Sequence, residues 1–420
     1  MRKFSAFVIT LFFIGIKTSI AQTPAQNSFQ IAGKMAEKNP ENYLAPIKAI
    51  SHIKAYASDF LGLSNWRQAM MTYYSYLGDY RQTLVYRAAA FHDRRSTDGT
   101  GYDTAFVKQH TFVDAADYIT TQAKQHQVTM INEAHHLPFH RAFVLPMLKK
   151  FYDAGYRYMA IETLDDTLIN QKQYLDYNTG TYTIEPIFGE MVREALRLHF
   201  KLVAYESIAD CDNKTKDPNY CSRFRDSVMA RNLNKIFKAD AKARLLVYAG
   251  YDHIHEGSED SWKKMAQFFT EQTGINPFTI ETTSLVEHLD PQLNPKEFAA
   301  VNNLTHINSP VIAISDSGAW HGQFVDATVI FPQYLVKGKR PVYNSIGGLR
   351  KPYSLSGMHL KPGQFIQAFY ANEKPGKRIP ADQFVVGDEE SVLYLFKGQY
   401  SLEIKDGDGI LLEKKAIEIL

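Results

Sequence analysis

One short segment sets a carboxylate and three imidazoles directly after an apolar run. Glu133, His135, His136 and His140 follow Val128-Thr-Met-Ile131. An imidazole beside a carboxylate is a natural general base near neutral pH, because the carboxylate orients the ring and stabilises its charged form. The segment therefore predicts acid–base chemistry, with Glu133, His135 and His136 as catalytic residues.

Three later apolar runs also lead into titratable residues. Taken singly, such side chains fit ordinary turn or cap residues, but their recurrence after apolar runs indicates one shared site. We assign Glu162 and His253 to catalysis, and Glu206, His255 and His140 to substrate binding. The runs and the residues that follow them are Tyr158-Met-Ala-Ile161 before Glu162, Leu202-Val-Ala-Tyr205 before Glu206, and Leu245-Leu-Val-Tyr248 before His253 and His255.

The same side chains could also bind a cofactor. Glu133, His135, Glu162 and His253 offer the oxygen and nitrogen donors that zinc or a similar divalent metal prefers. Haem, bound through the same histidines, is the alternative cofactor. The sequence leaves open whether hydrolysis at this site would need a metal.

An arginine extends the candidate site. Arg225 and Asp226 lie at the start of a segment in which Phe224, Val228 and Leu233 keep a helical spacing. An arginine at the start of a helix can face the cleft and bind an anionic or carbonyl group of a substrate. A surface ion pair explains the same two residues equally well.

Helical segments separate the strands. Apolar residues recur at helical spacing between Arg141 and Ala154, and again between Gly189 and Phe200. Strands that alternate with helices form parallel sheets, and the carboxyl ends of those strands lie at one edge, where ligands bind. We therefore predict an α/β fold with a parallel-sheet core, helices on both faces, and the candidate residues gathered at one edge.

The pattern changes along the chain and predicts four segments. Residues 1–21 are a signal peptide, 22–110 a helical extension, and 111–335 the α/β core that carries the site. From 336 to 420, frequent glycine and short apolar runs predict a β-rich module. Residues 94–101 are predicted to form a loop.

Composition excludes some functions. The 420 residues include 47 basic and 45 acidic side chains, a net charge of +2, so the chain lacks the basic surface that nucleic-acid binding requires. No G-x-S-x-G, P-loop, G-x-G-x-x-G or H-E-x-x-H motif occurs. These absences disfavour serine hydrolases, nucleotide hydrolysis and dinucleotide chemistry, and leave a small-molecule substrate or ligand.

The N-terminus predicts export. Arg2-Lys3, the apolar run Phe4 to Ile16 and small residues before Ala21 form the three parts of a signal peptide. No other stretch of about 18 apolar residues occurs, so we expect a periplasmic or secreted protein without a transmembrane anchor in its mature form. Cys211 and Cys221 flank a short polar loop, and in an oxidising compartment a disulfide is the favoured pairing. Free thiols or a soft metal site are the alternatives.

The spacing of these motifs resembles the superfamily that joins erythromycin esterases, ChaN-like haem-binding proteins and TraB/TIKI proteins. The resemblance spans about residues 128–280 and depends on four motifs: Asn132-Glu133-x-His135-His136, Glu162, Arg225-Asp226-x-x-Met229-Ala230-x-Asn232 and Gly250-x-x-His253. Asn132 replaces the glycine that the family more often has.

The resemblance implies a parallel α/β core with the site at this edge, but it implies two functions. Glu133-x-x-His136 is similar to the esterase pattern, in which the histidine activates water, whereas Glu133-x-His135-x-x-Pro138-x-His140 is similar to the ChaN-type pattern. The favoured hypothesis is an exported hydrolase of ester-like or amide-like bonds that activates water with the Glu/His cluster, with or without a metal. The alternative is a non-catalytic protein that binds haem or metal through the same histidines.

Overall fold

The fold is described from a computed structural model that covers residues 27–52, 60–91, 102–206, 211, 216–217, 219–257 and 262–420. The predicted signal peptide and the predicted loop at 94–101 lie outside these residues. Within them, no helix combines the length and the apolar character needed to cross a membrane.

The helices lie mainly in the first three quarters of the chain. In chain order they are α1 (Ser28–Lys38), α2 (Leu44–Ser51), α3 (Phe60–Leu77), α4 (Tyr80–Phe91), α5 (Thr104–Gln109), α6 (Ala115–Gln122), α7 (Phe139–Val144), α8 (Leu148–Asp153), α9 (Ile169–Lys172), α10 (Pro186–Arg197), α11 (Tyr220–Ala239), α12 (Met265–Thr273) and α13 (Lys296–Thr305). The helix predicted from Arg141 to Ala154 is divided into α7 and α8 by a 3-10 turn, Leu145–Met147. Pro146 accounts for the break, because proline has no amide hydrogen to donate within a helix.

The strands form one large sheet and two small ones. In chain order they are β1 (Thr111–Asp114), β2 (Val128–Glu133), β3 (Tyr158–Ile161), β4 (Lys201–Ala204), β5 (Leu245–Gly250), β6 (Phe278–Leu285), β7 (Val311–Ser315), β8 (Gly318–Ala319), β9 (Ala327–Ile330), β10 (Lys351–Ser354), β11 (Phe365–Tyr370), β12 (Asp382–Val385), β13 (Val392–Leu395), β14 (Gly398–Lys405) and β15 (Leu411–Ile419).

The central sheet has the order β1-β7-β9-β6-β2-β5-β3-β4, with β8 beside β7. The strands from β9 to β4 are parallel, whereas β7 runs antiparallel to β1, β8 and β9. The predicted α/β fold with a mainly parallel sheet is therefore confirmed. The C-terminal strands form an antiparallel pair, β10-β13, and an antiparallel sheet, β12-β11-β14-β15.

Alternate residues of the central strands pack on opposite faces of the sheet. Ile131 and Met159 join α7, α8 and α10 in one hydrophobic cluster, whereas Met130 and Ala160 join α11 and α12 in another. This alternation follows from the two-residue period of a strand. It confirms that helices cover both faces of the sheet, so the site can open only at an edge.

The N-terminal helices and the C-terminal module are joined to the core. The first hydrophobic cluster includes Ala32 of α1, Met70 of α3 and Phe365 of β11 together with the strand residues. Side chains also cross between segments, since Arg378 donates hydrogen bonds to Glu41. The boundaries predicted at 110 and 335 therefore stay predictions.

A disulfide joins Cys211 to Cys221, as the sequence predicted. Cys221 lies in the first turn of α11. The bond therefore ties the segment that follows β4 to the helix that carries Arg225 and Asp226.

Candidate active site

The candidate residues meet at the carboxyl edge of four adjacent strands, β2, β5, β3 and β4. Glu133 is the last residue of β2 and lies opposite Gly250, the last residue of β5. Glu162 directly follows β3, and Glu206 follows β4 by two residues. Strand ends thus bring together residues that lie far apart in sequence.

Glu133 and His135 form the first imidazole–carboxylate pair. His135 Nδ1 lies 2.8 Å from Glu133 Oε1, and because a carboxylate can only accept, Nδ1 carries the hydrogen. Arg141 donates to both oxygens of Glu133, through Nε at 2.7 Å and Nη2 at 2.8 Å. Burial alone would raise the pKa of Glu133, but Arg141 and His135 hold it well below its usual range. With the hydrogen on Nδ1, Nε2 is the nitrogen of the neutral His135 ring that can accept a proton.

Arg141 is fully buried and is held by several partners. Its Nη1 donates to Glu185 at 3.1 Å, its Nη2 donates to the carbonyl of His135 at 2.7 Å, and its guanidinium lies over the ring of Phe188 at 4.5 Å. Glu185 also caps α10 by accepting from two backbone amides. A charge so fully paired fixes the position of Glu133, because moving it would leave a buried charge unpaired.

His253 and Asp226 form the second pair. His253 Nδ1 lies 2.5 Å from Asp226 Oδ1, and Asp226 also accepts from the amide of Met265 at 3.2 Å and from Trp262 Nε1 at 3.3 Å. Burial alone would lower the pKa of His253, but the carboxylates of Asp226 and Glu162 raise it to about 9. His253 is therefore an imidazolium at neutral pH, with a proton on Nε2.

Glu162 lies between the two imidazoles. Its Oε1 is 3.9 Å from His135 Nε2 and 3.8 Å from His253 Nε2. Arg225 Nη2 donates to the same oxygen at 2.6 Å, and the amide of Gly250 donates to Oε2. Burial would raise the pKa of Glu162, but His253 and Arg225 lower it, so this carboxylate stays ionised. Separations near 3.8 Å exceed a direct hydrogen bond and are compatible with one bridging water-sized group.

Arg225 joins Glu162 to Glu206. Its Nε donates to Glu206 Oε1 at 2.9 Å, and Glu206 Oε2 accepts from the amide of Thr163 at 3.1 Å. Burial raises the pKa of Glu206. The Arg225 side chain is 35% exposed, which makes it the most accessible charge of the group. The structure thus pairs Arg225 within the site instead of with surface residues.

Gly250 allows the two halves to approach each other. A Cβ atom at this position would lie 2.4 Å from His135 Nε2, 2.5 Å from His135 Cε1 and 3.0 Å from Glu162 Oε2. Contacts this short are not tolerated, so only glycine leaves room for His135 beside β5. Tyr251, the next residue, has a φ of 47°, in the left-handed region, and turns the chain toward His253.

Two tyrosines enclose His135. The ring of Tyr182 stacks on the imidazole with centroids 4.1 Å apart and planes 14° apart, and the ring of Tyr251 meets it edge-on at 5.4 Å. Within the described part of the chain, the Tyr182 hydroxyl makes no hydrogen bond. Burial raises the Tyr182 pKa, and the charges of Glu162 and Glu133 raise it further. Tyr182 therefore places a hydroxyl beside His135 that no described residue accepts a hydrogen bond from.

His136 and His140 lie behind this arrangement. His136 is buried, with Nδ1 3.3 Å from the Tyr251 hydroxyl, and His140 is buried with Nδ1 accepting from the amide of Ala134 at 3.0 Å. Burial lowers the pKa of both, that of His140 to about 3, so both rings are neutral. Neither ring is in direct contact with Glu162. The catalytic role predicted for His136 and the substrate-binding role predicted for His140 therefore stay predictions.

His255 lies on the other side of β2. Its Nε2 is 3.8 Å from Glu281 Oε2, which also accepts from Asn132. Asn132 further donates to the carbonyl of Tyr251 at 2.8 Å and accepts from the amide of Thr282 at 2.6 Å. Asn132 is thus a buried link between β2, β6 and the turn after β5. His255 thus pairs with Glu281, whereas His135 and His253 both lie near Glu162.

The predicted metal ligands do not form a free donor set. Both oxygens of Glu133 are engaged by Arg141, Glu162 is engaged by Arg225, and His253 Nε2 carries a proton. In the described ranges, no group of three or more His, Cys, Asp or Glu residues is arranged to hold a metal ion. As a haem ligand, His135 would have to present Nε2 to the iron, but this nitrogen faces Glu162 and the ring is enclosed by Tyr182 and Tyr251.

Sequence reasoning missed three members of the site. Arg141 lies in α7, eight residues beyond Glu133, and its pairing depends on the turn between them. Asp226 is next to Arg225 in the Arg225-Asp226 motif, and its place in that motif is the sequence signal that could have identified it. Tyr182 lies in an irregular segment before α10 and carried no signal in the pattern of apolar residues.

No protein-family model and no curated protein matches this chain. Solved structures that are similar to it include the type III effector HopBA1, with 13% identity, a TM-score of 0.30, and coverage of 43% of this chain and 90% of that one. RRSP, a MARTX toxin effector domain from Vibrio vulnificus, has 10% identity and a TM-score of 0.29 over 64% of this chain and 66% of its own. The C-terminal region of Pasteurella multocida toxin has 11% identity and a TM-score of 0.33 over 89% and 58%. Scores at this level carry no inference about this chain.

Proposed function

We propose that the protein is an exported hydrolase of ester-like or amide-like bonds that uses His135 as general base and His253 as general acid. The observation that carries this proposal is a pair of imidazoles, each held at Nδ1 by its own carboxylate, whose Nε2 atoms lie 3.9 and 3.8 Å from the same oxygen of Glu162. Two imidazoles oriented toward one point by separate carboxylates can act as a base and an acid on the same substrate.

In this mechanism, His135 Nε2 takes a proton from a water molecule as the water oxygen bonds to the substrate carbonyl carbon. Glu133 stabilises the imidazolium that forms. His253 Nε2 gives its proton to the leaving oxygen or nitrogen as the scissile bond breaks. One proton is taken and one is given, and exchange with solvent restores both rings.

The negative charge that develops on the carbonyl oxygen needs donors. Arg225 is partly exposed, and the Tyr182 hydroxyl is not engaged by the described residues. Preorganised donors of this kind typically contribute about 3 to 4 kcal/mol each to transition-state stabilisation. We assign Tyr182 to this role, and Arg225 to substrate binding and to fixing Glu162.

The exported location is part of the proposal. The Cys211–Cys221 disulfide supports an oxidising compartment, where such bonds persist. Kinship with the erythromycin esterase, ChaN-like and TraB/TIKI superfamily is also proposed. It is supported by the convergence of Glu133, Glu162 and His253 at one sheet edge.

The test is hydrolysis of a panel of activated esters and amides by the purified protein and by His135→Asn. The asparagine amide can still donate to Glu133, but it offers no basic nitrogen. We expect kcat to fall by about 10² to 10⁴, the usual contribution of a general base. The matched control is His126→Gln, since His126 precedes the other end of β2 and stacks on Phe278.

Two further measurements on the same samples address a cofactor. Elemental analysis and chelator treatment show whether activity needs a metal, and titration with haem shows whether a saturable Soret band appears. A Soret band that His135→Asn abolishes, without hydrolysis of any substrate, would replace the hydrolase with the haem-binding alternative.

A further inference from the structure

The last strand of the C-terminal sheet has one unpaired edge. Strand β15 pairs with β14 along its length, and no other strand in the described part of the chain pairs with it. It is nine residues long. A free edge of this length presents a row of unpaired amide and carbonyl groups that can accept another strand.

Apolar side chains are exposed where this strand begins. Ile410, Leu411 and Leu412 are 63%, 49% and 55% exposed. Proteins usually protect a free edge by keeping it short, by bulges or by charged residues. Here a register shift occurs only near the start of the strand, between Ile404 and Lys405 of its neighbour. Its exposed lysines are balanced by glutamates in the same strand.

The sequence of β15 is complementary to itself. If a second copy pairs antiparallel with Ala416 opposite Ala416, then Lys414 of each chain lies opposite Glu418 of the other, and Leu412 lies opposite Leu420. These residues share one face of the sheet because side chains alternate along a strand. Directly opposed side chains of opposite charge stabilise such a pair.

Neighbouring registers lack this match. A two-fold axis perpendicular to the sheet places one residue opposite its own copy. With Lys415 at that place, two lysines meet. With Ile417 there, Glu418 faces Ala416 and both ion pairs are lost. A register centred on Lys414 pairs Glu413 with Lys415 twice but sets Lys414 against Lys414, so the register centred on Ala416 is the one of these four that forms two ion pairs with no like-charge contact.

Lys414 remains available for this contact. It lies 3.6 Å from Glu403 in its own chain and is about half exposed. Glu403 is already paired with Arg378 at 2.9 Å and Lys405 at 3.1 Å. The exposed ammonium group can therefore reach a second carboxylate without leaving Glu403 unpaired.

We propose that a second copy of this chain binds along β15, antiparallel and centred on Ala416, and joins two four-stranded sheets into one. The occupant is this chain itself, because the charges of β15 complement those of a second β15 in this register. This inference is independent of the hydrolase proposal, since β15 lies outside the candidate site.

Crosslinking tests the register. In Ala416→Cys the two introduced thiols face each other, and directly opposed residues of antiparallel strands have Cα atoms about 4.5 to 5.5 Å apart, within reach of a disulfide. The native cysteines are bonded to each other, so the new thiol is the free one. We expect a dimer on a non-reducing gel after mild oxidation. Glu413→Cys is the matched control and should stay monomeric, because residue 413 lies opposite Ile419.

Charge reversal tests the interaction. In sedimentation experiments we expect the wild type to have the mass of two chains. Lys414→Glu should weaken the dimer about tenfold, because two like-charge pairs replace two ion pairs. The double variant Lys414→Glu with Glu418→Lys should restore dimerisation. A monomer at all concentrations with no Ala416→Cys crosslink would overturn the proposal. A dimer whose dissociation constant is the same in the wild type and in Lys414→Glu would also overturn it.

Discussion

The charge on His253 should make the stability of the protein depend on pH, and Asp226→Asn should remove most of that dependence. In the folded protein the pKa of His253 is about 9, and in the unfolded chain it returns to about 6.5. At about 1.4 kcal/mol for each pH unit, the difference amounts to about 3 kcal/mol. This is a large share of the stability of a typical domain.

The sign follows from the direction of the pKa change. Because the folded pKa lies above the unfolded one, this contribution is fully present below about pH 6.5 and is lost as the pH rises through 9. The neutral amide introduced by Asp226→Asn cannot stabilise the imidazolium by charge, although Glu162 still does so in part. We therefore expect the variant to be less stable than the wild type by up to about 3 kcal/mol at pH 6, and the difference to shrink strongly by pH 10.

Urea unfolding at pH 6, 8 and 10 measures this difference, and NMR of the imidazole carbons gives the pKa of His253 directly. Asp153→Asn is the control, since Asp153 forms an exposed ion pair with Lys149. Two results would refute the reasoning. One is a wild-type His253 that titrates near pH 6.5. The other is a loss of stability in Asp226→Asn that is the same at every pH, which would indicate a lost packing contact instead of a lost charge interaction.

Three further predictions concern single contacts. Gly250→Ala should displace His135, lower the stability by about 1 to 3 kcal/mol through overpacking, and lower kcat at least tenfold. Urea unfolding and ester kinetics measure these effects, and an unchanged kcat would contradict the close approach of His135 to residue 250. Tyr182→Phe keeps the stack on His135 but removes the hydroxyl, so kcat should fall about 10²-fold with little change in KM; a change in KM alone would assign Tyr182 to binding. Reduction of the Cys211–Cys221 disulfide should lower the stability by about 2 to 3 kcal/mol, because the bond limits the loop entropy of the unfolded chain. Thermal unfolding with and without a reductant measures this, and an unchanged melting temperature would mean that the bond does not stabilise the fold.

Strand ends were the predictable part of the site. Apolar runs fixed the ends of β2, β3 and β5 to within two residues, and parallel topology then placed Glu133, Glu162 and His253 at one edge. The order of strands was not predictable from sequence periodicity. That order places β5 between β2 and β3, and so brings His253 next to both glutamates.

Partners that depend on packing between elements were not predictable. Nothing in the spacing of Asp226 and His253 shows that α11 brings them together. The buried pairing of Arg141 with Glu133 depends on the turn between β2 and α7, and the stacking of Tyr182 on His135 depends on a segment with no periodic pattern. Such contacts are decided by tertiary packing, which local sequence patterns do not encode.

The two halves of the site differ in how they are held in place. Glu133 and His135 belong to one strand end and its turn, deep in the sheet, whereas Asp226 reaches His253 only through the first turns of α11. The disulfide at Cys221 lies just over one helical turn from Asp226. If that helix end opened locally, His253 would lose its carboxylate partner Asp226 while the sheet stayed folded, and the proposed mechanism would keep its base without its acid. Because Asp226 raises the pKa of His253, loss of that contact would lower the pKa of this imidazole before any global unfolding is seen.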